Sequence, residues 1–147
     1  MFKVAADKLL DLVELRAEDI AKEWWKNVRQ NPRTPSYHPL TDREAVAQAV
    51  LFYKNLRRIY YSENPYEEEV PYFSQYAKER YGEGMPLQEA IYAMVLMRRH
   101  MWLFAEYQDL FTSLLDMYGA IQVINRTVLI TDYATFIIAQ KYHEMTA

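Results

Sequence analysis

Arg98 is the residue whose chemistry is hardest to hide. On a helix that turns about 100° per residue, Leu87, Ile91, Met94, Arg98, Met101, Trp102 and Ala105 fall on one stripe. A guanidinium thus sits in the middle of an apolar face. Leaving it buried and unpaired is costly, so it must snorkel, pair with a carboxylate or meet a ligand. Its planar fork suits two-point recognition of a carboxylate or other oxyanion. The structural reading pairs it with Asp132 on the last helix. The ligand reading makes Arg98 the anchor of an anionic site, with Met94, Met101, Tyr92, Trp102 and Asp132 as candidate neighbours. Arg99 lies about 100° away and cannot share the stripe.

His100 is the next candidate, as the one histidine inside a long apolar helix. A haem reading would use it as axial ligand, but a lone histidine is weak support, and a satisfied or surface histidine is the expected outcome. It projects with Ala93, Leu96 and Tyr107, off the Arg98 stripe. His38 and His143 do not combine with it in a metal-ligand spacing, so no metal site is expected. Neither a nucleophile–base pattern, a phosphate-binding glycine loop nor a paired-acid motif occurs, so catalysis is not expected. Lys54, Arg57 and Arg58 form a short basic run that reads as a solvated face. The 13 tyrosines are expected mostly at core edges, burying the ring while the hydroxyl reaches water or a backbone carbonyl. A few lining a cavity would suit a ligand of mixed apolar and polar character.

The elements that must position these groups read as helices. Gly82-Glu-Gly84 is a stop signal, and Pro86 suits the first turn of the helix that carries Arg98 to about Glu106. Residues 5–30 read as one helix with Leu9, Val13, Ala17, Ile20, Trp24 and Val28 inward. Trp24 and Trp25 are adjacent, which places one of them at an edge or an interface. The three prolines of residues 31–40 make a loop. Thr41-Asp-Arg-Glu44 is a capping box opening a helix to about Tyr61. Asn64-Pro-Tyr-Glu67 starts another, where Glu67 to Glu69 suit the positive end of the helix dipole. Pro71 predicts a kink or a restart there. Residues 110–119 read as a break with Thr112 or Ser113 as a cap. The final helix, about Ala120 to Glu144, carries Ile121, Ile124 and Val128 on one side and Val123, Ile130 and Ile137 on another. More apolar circumference than one layer covers predicts a central helix shared with a second copy in a homodimer.

Composition bounds the class. A chain of 147 residues, 51% apolar and 25% charged, suits a single globular domain over residues 1–147. A net charge of −3 gives no drive toward nucleic acid or anionic membranes. The absence of cysteine excludes disulfides and thiol chemistry and fits a reducing cytoplasm. The N-terminus meets acidic residues too early for a secretory signal, and no run approaches the length of a membrane span. With only three glycines and no alternating strand pattern, the expected fold is all-α with about five main helices.

Gly84-Met-Pro-Leu-Gln-Glu89, Ile91-Tyr-Ala and Leu96-Met-Arg-Arg-His-Met-Trp102 resemble the N-terminal domain of RsbRD-type co-antagonists, bacterial stress-signalling proteins that regulate an anti-sigma switch. Similar domains precede histidine kinases. The likeness extends to Leu9-Leu-Asp-Leu, Ile20-Ala, Trp24, and Tyr37 ahead of Leu40-Thr41, and so covers most of the chain. It implies a cytoplasmic, all-helical sensor domain of globin-like outline with no catalytic set and no resident cofactor. Such a domain would bind a small ligand or partner and signal through its last helix to a downstream kinase or anti-sigma module. A haem or gas-binding protein using His100, and a ligand-free dimerisation module, are the alternatives.

Overall fold

A computed structural model describes residues 2–108, 110 and 113–146, with the side chains of Phe2, Tyr107 and Leu115 outside that description. Among the described residues the fold is all-α. Six helices follow one another: α1 Phe2–Leu15, α2 Ala17–Val28, α3 Asp42–Tyr60, α4 Pro65–Gly82, α5 Leu87–Tyr107 and α6 Leu114–Thr146, with a 3₁₀ turn at Pro35–Tyr37. α4 runs along α6, α2 packs on α3 and α5, and α1 packs on α6 and α3. No described helix is long and apolar enough to cross a membrane.

α5 is the hub, held by polar contacts as well as by packing. Trp24 of α2 donates its indole N–H to the Ala93 carbonyl at 2.9 Å. Tyr53 of α3 donates to the Met97 carbonyl and Tyr76 of α4 to the Ala90 carbonyl, each at 2.8 Å. Tyr142 of α6 donates to the carbonyl of Met85, just ahead of α5, also at 2.8 Å. A helical carbonyl keeps a second lone pair after accepting its own amide, and a buried phenol or indole needs an acceptor. Ala90 and Ala93 are fully buried, and their small side chains let the rings approach the backbone. The Glu89 carboxylate adds a fifth tie, accepting the Ser36 amide at 2.8 Å and its hydroxyl at 2.7 Å.

Several boundaries differ from the sequence expectation. The expected helix over 5–30 is two, because Arg16 leaves helical geometry (φ −111°, ψ 22°), with its side chain on Asp19 at 2.7 Å and over the Phe104 ring. Trp24 and Trp25 are both buried, not split between core and edge. The Trp25 indole avoids solvent by donating to Asp42 at 2.7 Å in the first turn of α3. α4 continues through Pro71 without a restart. The ring is on the exposed side, so the carbonyl deprived of its amide partner, that of exposed Glu67, faces water. α6 begins at Leu114 and not near Ala120. The Ser113 hydroxyl accepts the Asp116 amide at 2.9 Å, capping a helix that then runs through Gly119. Thr112, the other expected cap, lies outside the described residues.

Other local signals hold. Thr41 accepts the Glu44 amide at 3.2 Å, although Glu44 returns to the Thr41 hydroxyl and not to its amide. Pro86 is the cap residue of α5, one position before its first turn. At the end of α4, Gly84 (φ 81°) donates to the Tyr81 carbonyl and Met85 to that of Arg80, a Schellman closure. A methyl group on Gly84 would meet nothing within 4 Å, so only backbone conformation is at stake there. Gly84→Ala is therefore expected to cost about 1–2 kcal/mol in urea unfolding, the penalty of a left-handed L-residue, and Gly84→Asn less.

Candidate functional site

Arg98 is half-buried on the α6-facing side of α5, where it donates to the Thr131 hydroxyl at 2.6 Å. The expected pairing with Asp132 does not form. On α6 the inward stripe runs through Val123, Thr127, Ile130, Thr131, Ala134 and Ile138, and Asp132 lies a further 100° round, exposed. Thr131 can accept from Arg98 because its own proton goes to the Thr127 carbonyl at 3.0 Å. Thr127 and Thr135 likewise donate to carbonyls one turn back, at 2.8 and 2.9 Å. A hydroxyl satisfies one N–H of the guanidinium without neutralising its charge. Among the described residues no carboxylate pairs with Arg98.

A groove of about 560 Å³ opens beside this cation, between α5 and α6. Arg98, Trp102, Ala105 and Glu106 form one wall, and Ala120, Ile124, Thr127 and Val128 the other, with Leu110 at the end. The lining is mostly apolar, with one positive and one negative group. Of the residues nominated from sequence, Arg98 and Trp102 come together here. Met94 and Met101 are sealed in the core, Tyr92 is half-buried outside the groove, and Asp132 is on the surface.

His100 is engaged elsewhere. Asn31 donates to the Asn27 carbonyl oxygen at 2.8 Å, which leaves the Asn27 amide nitrogen to donate to His100 Nε2 at 3.0 Å. That contact requires a neutral ring, and burial lowers the pKa of His100 in the same direction, against a rise from Glu23. The nitrogen that an axial haem ligand would offer is already an acceptor in the α2–α5 seam. Among the described residues no three acidic or histidine side chains converge as a metal site would need.

Besides Glu89, two more charged residues are buried that were not nominated as site residues from the sequence. Arg80, 3% exposed, is the most deeply buried arginine, stacked on the Tyr76 ring and paired with Glu83 at 2.6 Å and Glu79 at 3.3 Å. Glu69, expected to suit the positive end of the α4 dipole, is 0% exposed. The signal lay in the spacing Pro65, Glu69, Phe73, Tyr76, Ala77, Arg80, all buried on one face of α4.

No family model, curated protein or solved structure matches this chain. In a denaturant double-mutant cycle, Arg98 and Asp132 should behave independently, within about 0.3–0.5 kcal/mol, whereas Arg98 and Thr131 should couple by more than that. Strong coupling to Asp132 would overturn the placement of both residues.

Proposed function

We propose that this domain is a regulatory input module. It takes a small ligand with an anionic group and an apolar body into the α5–α6 groove and passes the change along α6. The observation that carries the reading is Arg98, a half-buried cation with a hydroxyl partner and no carboxylate, at the side of an apolar groove. A ligand carboxylate or phosphate would supply the missing charge, and the Trp102, Ile124 and Val128 side chains would cover its body. The resemblance to RsbRD-type and histidine-kinase input domains supports the same reading. On this reading the domain works in the bacterial cytoplasm, upstream of a kinase or anti-sigma module, without catalysis of its own.

Native mass spectrometry of gently purified protein tests this, since it reports ligand mass and stoichiometry together. The expected adduct disappears in Arg98→Met. That substitution should leave the ligand-free domain within about 1.5 kcal/mol of the parent, because only a hydrogen bond to a hydroxyl is lost. At a ligand concentration a hundred times Kd, the parent should gain about 2.7 kcal/mol that the variant lacks. The same adduct on both proteins would refute the assignment.

A second feature favours self-association. Leu114, Met117, Ile121, Ile124 and Val128 follow a three–four spacing along α6 and are all exposed, Ile121 at 57%. Such a seam suits a matching helix from a second copy, packed about a two-fold axis. Ile124 and Val128 belong to the seam and to the groove wall alike, which gives ligand and dimer a shared element. Sedimentation at tens of micromolar, about the range of weak homodimers, is expected to find a dimer that Ile121→Glu converts to monomer. A monomeric parent would sink the dimer.

A further inference from the structure

Glu69 takes no part in the groove or in the ties to α5. It sits on the inner face of α4 with neither carboxyl oxygen hydrogen-bonded. An ionised carboxylate is disfavoured in such a place, and the group keeps its proton instead. Burial pushes its pKa up to about 8, against a downward pull from Arg126 of α6.

Arg126 is committed to a different partner. Its guanidinium donates to the Tyr60 carbonyl at 3.2 and 3.3 Å and to the Ser62 carbonyl at 2.8 Å. These lie at the C-terminal end of α3, where carbonyls lack helical partners and the dipole is negative. Arg126 therefore caps α3 while its positive charge pulls on Glu69. A groove of about 550 Å³, lined by Tyr60, Tyr61, Gln122, Asn125, Arg126 and Leu129, opens beside it and leaves the half-buried guanidinium room to move. Several other polar groups of the packed elements are already taken, while Gln48 on α3 and Gln122 on α6 each leave a buried amide oxygen without a partner. On α3 the Tyr60 hydroxyl bonds Thr127 and Arg58 pairs with Glu68, while on α5 Arg98 bonds Thr131.

We propose that Glu69 and Arg126 form a proton-operated switch at the junction of α3, α4 and α6. While Glu69 holds its proton, Arg126 caps α3. When the proton is lost to water admitted through the neighbouring groove, the carboxylate outcompetes neutral carbonyls for the guanidinium, and the last turn of α3 is released. That turn carries Arg57, which holds α1 through Asp11 at 2.6 Å and Glu14 at 3.0 Å. Alkalinisation is thereby relayed to the α1–α3 surface, independently of any ligand in the α5–α6 groove.

The pH dependence has a fixed sign. Below the ordinary carboxyl value of 4.5, folded and unfolded chains both hold the proton, and Glu69 carries no penalty. Between 4.5 and about 8 only the unfolded chain releases it, so stability falls as pH rises. Above that window the folded chain ionises as well, and the loss levels off.

The test is a carboxyl ¹³C NMR titration of the full chain labelled at glutamate, with Glu69→Gln identifying the resonance. Amide exchange of residues 57–61 is followed over the same range. The expected result is one carboxyl titrating near 8, as burial predicts. With it the last turn of α3 should lose protection in the parent at the same midpoint and not in Glu69→Gln, whose thermal stability should exceed the parent's at alkaline pH. Arg126→Met should leave that turn unprotected at every pH. A Glu69 resonance titrating with the surface carboxylates, or identical exchange profiles in parent and Glu69→Gln, would overturn the switch. Should Glu69→Gln fail to fold, the parent alone decides: an alkaline carboxyl midpoint shared with the exchange midpoint supports the proposal, and separate midpoints refute it.

Discussion

The fold depends on one kind of interaction, an aromatic donor placed on a backbone carbonyl of the α5 segment. Trp24, Tyr53, Tyr76 and Tyr142 come from four different helices, and each ends on that segment. Each ring supplies a large apolar surface to the core, and its single polar atom finds an acceptor on that backbone. Packing alone would let α5 slide or rotate by small amounts at low cost. A directional bond to a named carbonyl does not, since moving the helix by one residue would leave buried donors unsatisfied. The four ties fix α5 in height and rotation, and Glu89 fixes its first turn to the loop at Ser36. The position of Arg98 is a consequence of that register.

The arginines of this protein show what burial demands of a cation. Arg80, almost fully buried, has two carboxylates and an aromatic face around it. Arg126 uses the unpaired carbonyls at the end of α3. Arg57 gathers Asp11 and Glu14 near the surface, and its hydrogen bonds to Glu14 and Asp11 raise its pKa still further, against a lowering by burial. Arg98 alone of these four rests on a hydroxyl. Its charge is the least compensated of the four, and it stands at a groove to which α5 and α6 each contribute a wall. That contrast is the basis of the proposed ligand site.

α6 has two unlike faces. Val123, Ile130, Ala134, Ile137 and Ile138 are buried against the bundle, and the threonines among them return their hydroxyls to the helix's own carbonyls. The opposite side leaves Ile121, Ile124 and Val128 in solvent. A helix built this way has a core of its own and surface to share. In the proposed reading both inputs act on its neighbours, the ligand through α5 and the proton through α4 and the end of α3.

The periodicity of apolar residues determined by itself that the chain is helical, that α5 would be central, and that α6 would carry two apolar sides. Capping at Thr41 and the stop at Gly84 were equally legible, because they depend on contacts within a few residues. The same local logic failed where a distant group decided the outcome. Pro71 reads as a break until its exposed position is known, and residues 114–119 read as part of a break although the Ser113 cap opens α6 there. Arg98 stands out on its apolar stripe, but its partner depended on the rotation of α6, and a 100° difference separates Thr131 from Asp132. Glu69 read as a partner for the positive end of the α4 dipole; only the packing of α4 in the bundle shows it buried. Sequence fixes which residues share a face of one helix, whereas which face meets which is settled by the pairing of whole helices, and the chemistry of Arg98, Glu69 and Arg126 belongs to that second level.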